Sequence, residues 1–86
     1  MLYKLRIITD RWMNEEGDWY ENDGYWYGEF EIDDKFWANR VRDIINKVLP
    51  AGNYWAIDDG ETILVLEDHG DEAIEVAYFA PVAEVS

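Results

Sequence analysis

The chain has 86 residues, enough for one domain and no more. Twenty acidic side chains face seven basic ones, a formal net charge of −13 that repels nucleic acid and anionic membrane surfaces and attracts basic partners. There is no cysteine, which excludes disulfides, thiolate metal sites and cysteine nucleophiles.

Residues 2–13 open with Tyr3, Leu5 and Ile7 alternating against Lys4 and Arg6, the pattern of a half-buried strand. The apolar start, Leu2 to Ile8, is too short and too charged for a signal peptide or a membrane span, so a cytoplasmic setting is expected. Asn14-Glu15-Glu16-Gly17 reads as a turn, and Glu21-Asn22-Asp23-Gly24 repeats its chemistry. Between them Asp18-Trp19-Tyr20 fits either a very short strand or one long aromatic loop. Residues 25–32 alternate again. Trp26, Gly28, Phe30 and Ile32 are predicted to face the core and Tyr25, Tyr27, Glu29 and Glu31 to face away, with Gly28 leaving room for a large neighbour or marking a bulge.

Asp33-Asp34 ends that strand and is predicted to cap a helix over residues 34–49. Trp37, Val41, Ile44, Ile45 and Val48 form its apolar stripe, and Asp43 and Lys47 are spaced for an i, i+4 ion pair. Pro50 and Gly52 stop it. Tyr54–Ile57, the turn Asp58-Asp59-Gly60-Glu61 and Thr62–Leu66 make a hairpin signature. Asp68-His69-Gly70-Asp71 is a further tight connection before a last strand over 73–79, with Pro81 ending the sheet. The order β-β-α-β-β-β with short connections predicts an α+β fold: an antiparallel sheet of four to five strands with one helix on a single face. Residues 1–81 form the expected domain and 82–86 a tail.

Little in the sequence points to catalysis. His69 is the one histidine and sits in a turn, Thr9, Thr62 and Ser86 lack any nucleophile-elbow context, and no glycine-rich phosphate loop is present. The oxygens of Asp18, Glu21, Asn22 and Asp23, or of Asp58, Asp59 and Glu61, do not match the spacing of a calcium loop. The expectation is a binding protein, not an enzyme, with no cofactor and no metal.

The density of rings and acids is the remaining signal. Between Trp12 and Trp37 lie nine of the fourteen aromatic residues and nine acids, more rings than one modest core holds. Exposed Trp and Tyr among carboxylates receive Arg and Lys through ion pairing and cation–π contact. The expected partner surface comprises Glu15, Glu16, Asp18, Glu21, Asp23, Glu29, Glu31, Asp33 and Asp34, assisted by Asp58, Asp59 and Glu61, with Trp19, Tyr20 and Tyr27 as anchors. Glu29 and Glu31, about 6.5–7 Å apart along a strand, match the spacing of successive backbone phosphates. In profile the chain resembles phage-encoded inhibitors of restriction or CRISPR nucleases and DNA-mimic inhibitors generally: small, acidic, cysteine-free and aromatic-rich. The resemblance is one of class and not of motif, and it implies a partner whose basic surface is built for nucleic acid. Two other readings fit the same residues. One is an assembly domain that oligomerises through its rings or sheet edges. The other is an ordinary domain from a salt-adapted organism.

Overall fold

The computed structural model describes residues 1–83. Five strands, β1 (Leu2–Met13), β2 (Trp19–Glu31), β3 (Tyr54–Asp58), β4 (Ile63–Asp68) and β5 (Ala73–Pro81), form one sheet, and α1 (Trp37–Val48) lies between β2 and β3 in the chain. The strand order is β2-β1-β5-β4-β3 and every neighbouring pair is antiparallel. The fold is therefore the α+β sheet-and-helix arrangement expected from the order of elements. Residues 84–86 of the expected tail lie outside the described residues, while Val82 still donates its N–H to the Leu2 carbonyl at 2.9 Å.

The core sits between α1 and one face of the sheet. Val41, Ile44 and Ile45 of the helix stripe meet Leu5, Ile7, Ile32, Ile63, Val65, Ala77 and Phe79, with Trp37, Val48, Tyr54 and Ala56 at its margin. Phe79 and Val65 are fully buried at its centre, in the middle strands where two neighbours cover them. The tight turns fall where glycine permits a left-handed backbone: Gly17, Gly60 and Gly70 have φ of 89°, 93° and 86°.

Several sequence-based expectations are corrected. Glu21-Asn22-Asp23-Gly24 is not a turn but the interior of β2, which runs unbroken for 13 residues from Trp19. Its turn-like composition is absorbed by register shifts between Ile8 and Asp10 and between Asp10 and Arg11, where extra residues bulge out of the ladder. Gly24 is required there: a Cβ would lie 2.5 Å from the Ile7 carbonyl oxygen. Trp26 does not face the core. Leu5 pairs with Gly28 but Arg6 with Trp26, so Tyr27 is the extra residue and everything before it changes sides. The helix begins at Trp37, not at residue 34, and neither aspartate caps it. Asp33 instead closes the preceding turn, accepting from the Lys35 N–H through its carboxylate at 2.9 Å and from the Phe36 N–H through its carbonyl at 3.2 Å. Asp43 and Lys47 do not close an ion pair; those among the described residues are Met1–Glu31 and Arg6–Glu21, and Glu67 is in hydrogen-bond contact with His69. The last strand extends to Pro81, opposite Tyr3.

Candidate interaction surface

The first two strands outrun the rest of the sheet. β5 pairs with β1 only from Tyr3 to Ile7, so from Ile8 to Gly24 the chain is a two-stranded ribbon, an arm of a molecule measuring 41 × 27 × 21 Å. Residues 9–24 carry six carboxylates (Asp10, Glu15, Glu16, Asp18, Glu21, Asp23) and one cation, Arg11. At the tip the Asn14 side chain accepts from the N–H groups of Glu16 and Asp18, both at 2.9 Å, which holds those two acids on a fixed turn. Farther down, Asn22 donates to Asp10 at 2.7 Å.

Two rings face each other across the arm. Trp12 pairs with Tyr20 in the ladder and stacks on it, with centroids 4.9 Å apart and planes inclined by 22°. The pair remains 50% and 46% exposed, and among the described residues the ring with cations over it is Trp26, which lies elsewhere. The arm bends over the helix-free face of the sheet, where Ile8 and Arg11 from its base and Trp19, Tyr20 and Glu21 from its outer part line a small cavity with Glu75 and Tyr78. Arg6 donates to Glu21 at 3.0 Å and Arg11 to the Ile8 carbonyl at 3.3 Å, pinning the base. Burial, followed by the neighbouring Glu21 charge, raises the Glu75 carboxyl above its ordinary range, and the same two causes raise the Tyr78 hydroxyl.

The expected site residues divide into separate groups. Glu15, Glu16, Asp18, Trp19, Tyr20, Glu21 and Asp23 come together on the arm. Trp19, opposite Met13 beside the tip turn, is half-buried, and Tyr20 is the exposed anchor. Trp12, the partner of Tyr20, is missing from the expected site; placing Trp19-Tyr20 in a strand across the Asn14–Gly17 turn would have put the two rings opposite each other. Tyr27 is exposed at the bulge in β2 and stacks against Phe30, away from the arm. Asp33 and Asp34 follow the end of β2, and Asp58, Asp59 and Glu61 form the β3–β4 turn. By the antiparallel order these positions lie at the end of the sheet opposite the arm. Glu29 and Glu31 share the helix-free face; Glu31 holds the N-terminal ammonium, and Glu29 lies opposite Lys4 in the ladder.

Trp26, turned outward by the bulge, is served from within the chain. Lys4 Nζ lies 4.3 Å and the Arg6 guanidinium carbon 5.1 Å from its ring centroid, and Tyr78 meets it edge-on at 6.1 Å. Three of the seven basic residues, Lys4, Arg6 and Arg11, are thus spent on the helix-free face. The other four, Lys35, Arg40, Arg42 and Lys47, lie on or just before α1. The arm keeps six carboxylates against one cation, while residues 48–83 carry eight carboxylates and no Lys or Arg.

Among the described residues no group of three or more His, Cys, Asp or Glu side chains is arranged to hold a metal ion, and no helix is long and apolar enough to cross a membrane. His69 is exposed in the β4–β5 turn beside Glu67. No protein family, characterised protein or solved structure matches the chain.

Proposed function

We propose that the chain is an acidic binding protein whose arm occupies a basic surface of a partner, one built for nucleic acid, and blocks it by substituting carboxylates for phosphates. The observation that carries this reading is the company of the Trp12–Tyr20 pair: stacked, half-exposed rings on a ribbon with six carboxylates and a single cation. Exposed aromatic faces attract guanidinium and ammonium groups, and the surrounding acids steer such groups in. Backbone phosphates offer the same charge, so a surface shaped for them accepts the arm electrostatically. The rings supply what phosphate lacks, a directional anchor that fixes register. Occlusion requires no catalytic group, consistent with an inhibitor of the anti-restriction or anti-CRISPR class acting in the host cytoplasm.

The test is capture from host lysate on immobilised protein at low ionic strength, with elution by salt, followed by competition between the arm and nucleic acid for the captured partner. Partners displaced by nucleic acid and lost on neutralising the arm support the reading. A partner that binds nucleic acid and this chain at the same time overturns it.

A second reading, assembly into oligomers, is favoured by a different observation. On the helix-free face Trp55 and Ile57 are exposed beside Leu66 and Leu64. Sedimentation at several concentrations tests it: a stable oligomer that buries Trp55 supports assembly, and a monomer throughout rejects it.

A further inference from the structure

The sheet has two free edges, β2 and β3, and they differ in kind. β2 is guarded: its pairing with β1 is broken by three register shifts, and Glu21, Asp23, Glu29 and Glu31 line it. Bulges and charges are how proteins prevent a foreign strand from adding to an edge. β3 has no proline, no lysine and no bulge, and its five residues pair with β4 in one unbroken register.

The backbone groups that β3 leaves open follow from its hydrogen bonds. The Asp68 N–H bonds the Asn53 carbonyl at 2.9 Å and the Asp59 N–H bonds the Thr62 carbonyl at 2.8 Å, so these directly opposed residues are hydrogen-bonded pairs. In an antiparallel ladder such pairs alternate. Trp55 and Ile57 therefore turn their backbone groups towards β4, and Tyr54, Ala56 and Asp58 turn theirs outward. Beside this edge a groove of about 480 Å³ opens between β3 and α1, with Tyr54, Ala56, Val41 and Ile45 along it and the polar side chains of Arg42 and Asn46 on its helix side. A strand laid along β3 would place alternate side chains in that groove and the others beside Trp55 and Ile57.

We infer that the β3 edge and the α1 groove form a second docking site, which takes an extended segment of a partner protein as a sixth, antiparallel strand, with aliphatic residues at alternate positions and Lys or Arg at its N-terminal end. The charge at the end of β3 decides the occupant. An antiparallel segment brings its N-terminal end to Asp58, where Asp58, Asp59 and Glu61 present three carboxylates and no cation. A basic end is drawn to that turn. A second copy of this chain is opposed there: it would bring its own Asp58 against Tyr54 and add a body of net charge −13. Main-chain hydrogen bonds supply affinity and the groove supplies the choice of side chain, as in other cases of strand addition. The site lies at the opposite edge of the sheet from β2, so its failure would leave the arm reading standing.

The test uses the full chain, isotope-labelled for NMR, and a synthetic peptide of sequence Lys-Arg-Thr-Val-Ser-Val-Thr. Binding should slow hydrogen exchange at the amides of Tyr54, Ala56 and Asp58 by about tenfold or more and leave Trp55 and Ile57, already bonded to β4, unchanged. Ala56→Pro removes one outward N–H and keeps the β4 ladder, and should weaken the peptide by about tenfold, the effect of one good hydrogen bond. If that variant fails to fold, Ala38→Gln, which fills the groove from an exposed helix position, should give a comparable loss. Replacing Lys-Arg with Glu-Glu in the peptide should abolish binding. Unaltered exchange at the three amides, equal binding of the Glu-Glu peptide, or a dimer in which those amides are already protected would each overturn the inference.

Discussion

Neutralising the arm separates a local site from a general effect of net charge. The changes Glu15→Gln, Glu16→Gln, Asp18→Asn and Asp23→Asn remove four of thirteen net negative charges and leave −9. Glu21 is spared because it holds Arg6. Amide replacements keep an oxygen acceptor, so the bond that the Gly24 N–H donates to the side chain at position 23, at 2.8 Å, survives in kind. An exposed carboxylate opposite a cation contributes about 0.2–1 kcal/mol. Four of them contribute about 1–4 kcal/mol, a loss in affinity of about 5-fold to 1,000-fold. The control carries the same net charge: Glu29→Gln, Asp33→Asn, Asp34→Asn and Asp43→Asn act outside both the arm and the β3–β4 turn. Binding of the captured partner by isothermal titration calorimetry at about 50 and 200 mM salt, on either side of physiological ionic strength, measures both. The arm variant should lose affinity and most of its salt dependence, and the control should retain both. Equal losses in the two variants would show that total charge and not the arm governs association, and the proposed site would be wrong.

The remaining expectations are independent of a partner's identity or sharpen it. Tyr20→Ala should weaken partner binding by about 2 kcal/mol or more, as a central aromatic anchor does, while urea denaturation shows a loss no greater than the stacking energy of about 0.5–1.5 kcal/mol. Phe79→Ala should cost about 3–5 kcal/mol of stability in the same assay, because the ring is fully buried in a central strand; a cost below about 1 kcal/mol would contradict the core described above. Gly24→Ala should destabilise by about 1–3 kcal/mol, since its methyl group has no space beside the Ile7 carbonyl, whereas a neutral effect would mean that the bulged ribbon repacks freely. Glu75→Gln tests the half-buried carboxyl. Its raised pKa means that the folded chain binds the proton more tightly than the unfolded chain. That stabilisation is complete below the ordinary value of 4.5 and is lost as pH rises through the raised one. The variant should therefore melt higher than the parent at neutral pH, with the difference fading on acidification; a difference independent of pH would refute the assignment.

What the sequence made legible was whatever repeats with a regular period. Tyr3, Leu5 and Ile7 against Lys4 and Arg6, the Trp37–Val48 stripe, and the Asp-Asp-Gly turn between two apolar runs each state their structure in two or three periods. Bulges break the period and carry no signature of their own beyond a glycine. One extra residue at Tyr27 reversed the side of Trp26, and the shifts near Asp10 let a turn-like Glu21–Gly24 remain in a strand. Asp33 resembles a helix cap because the same carboxylate geometry closes a plain turn. The candidate surface was legible in composition but not in extent. Nothing local to residues 15–34 says that β5 stops pairing at Ile7, which is what separates the arm from Asp33, Asp34 and the β3–β4 turn.

The arm from Trp12 to Asp23 contributes no residue to the buried cluster under α1. Apart from Trp19, Tyr20 and Glu21, which rest on the helix-free face, sequence change in that stretch is therefore decoupled from the packing under α1. Its length, charge pattern and rings can be exchanged for those of another ribbon, and the sheet beneath would serve as a fixed handle for successive targets.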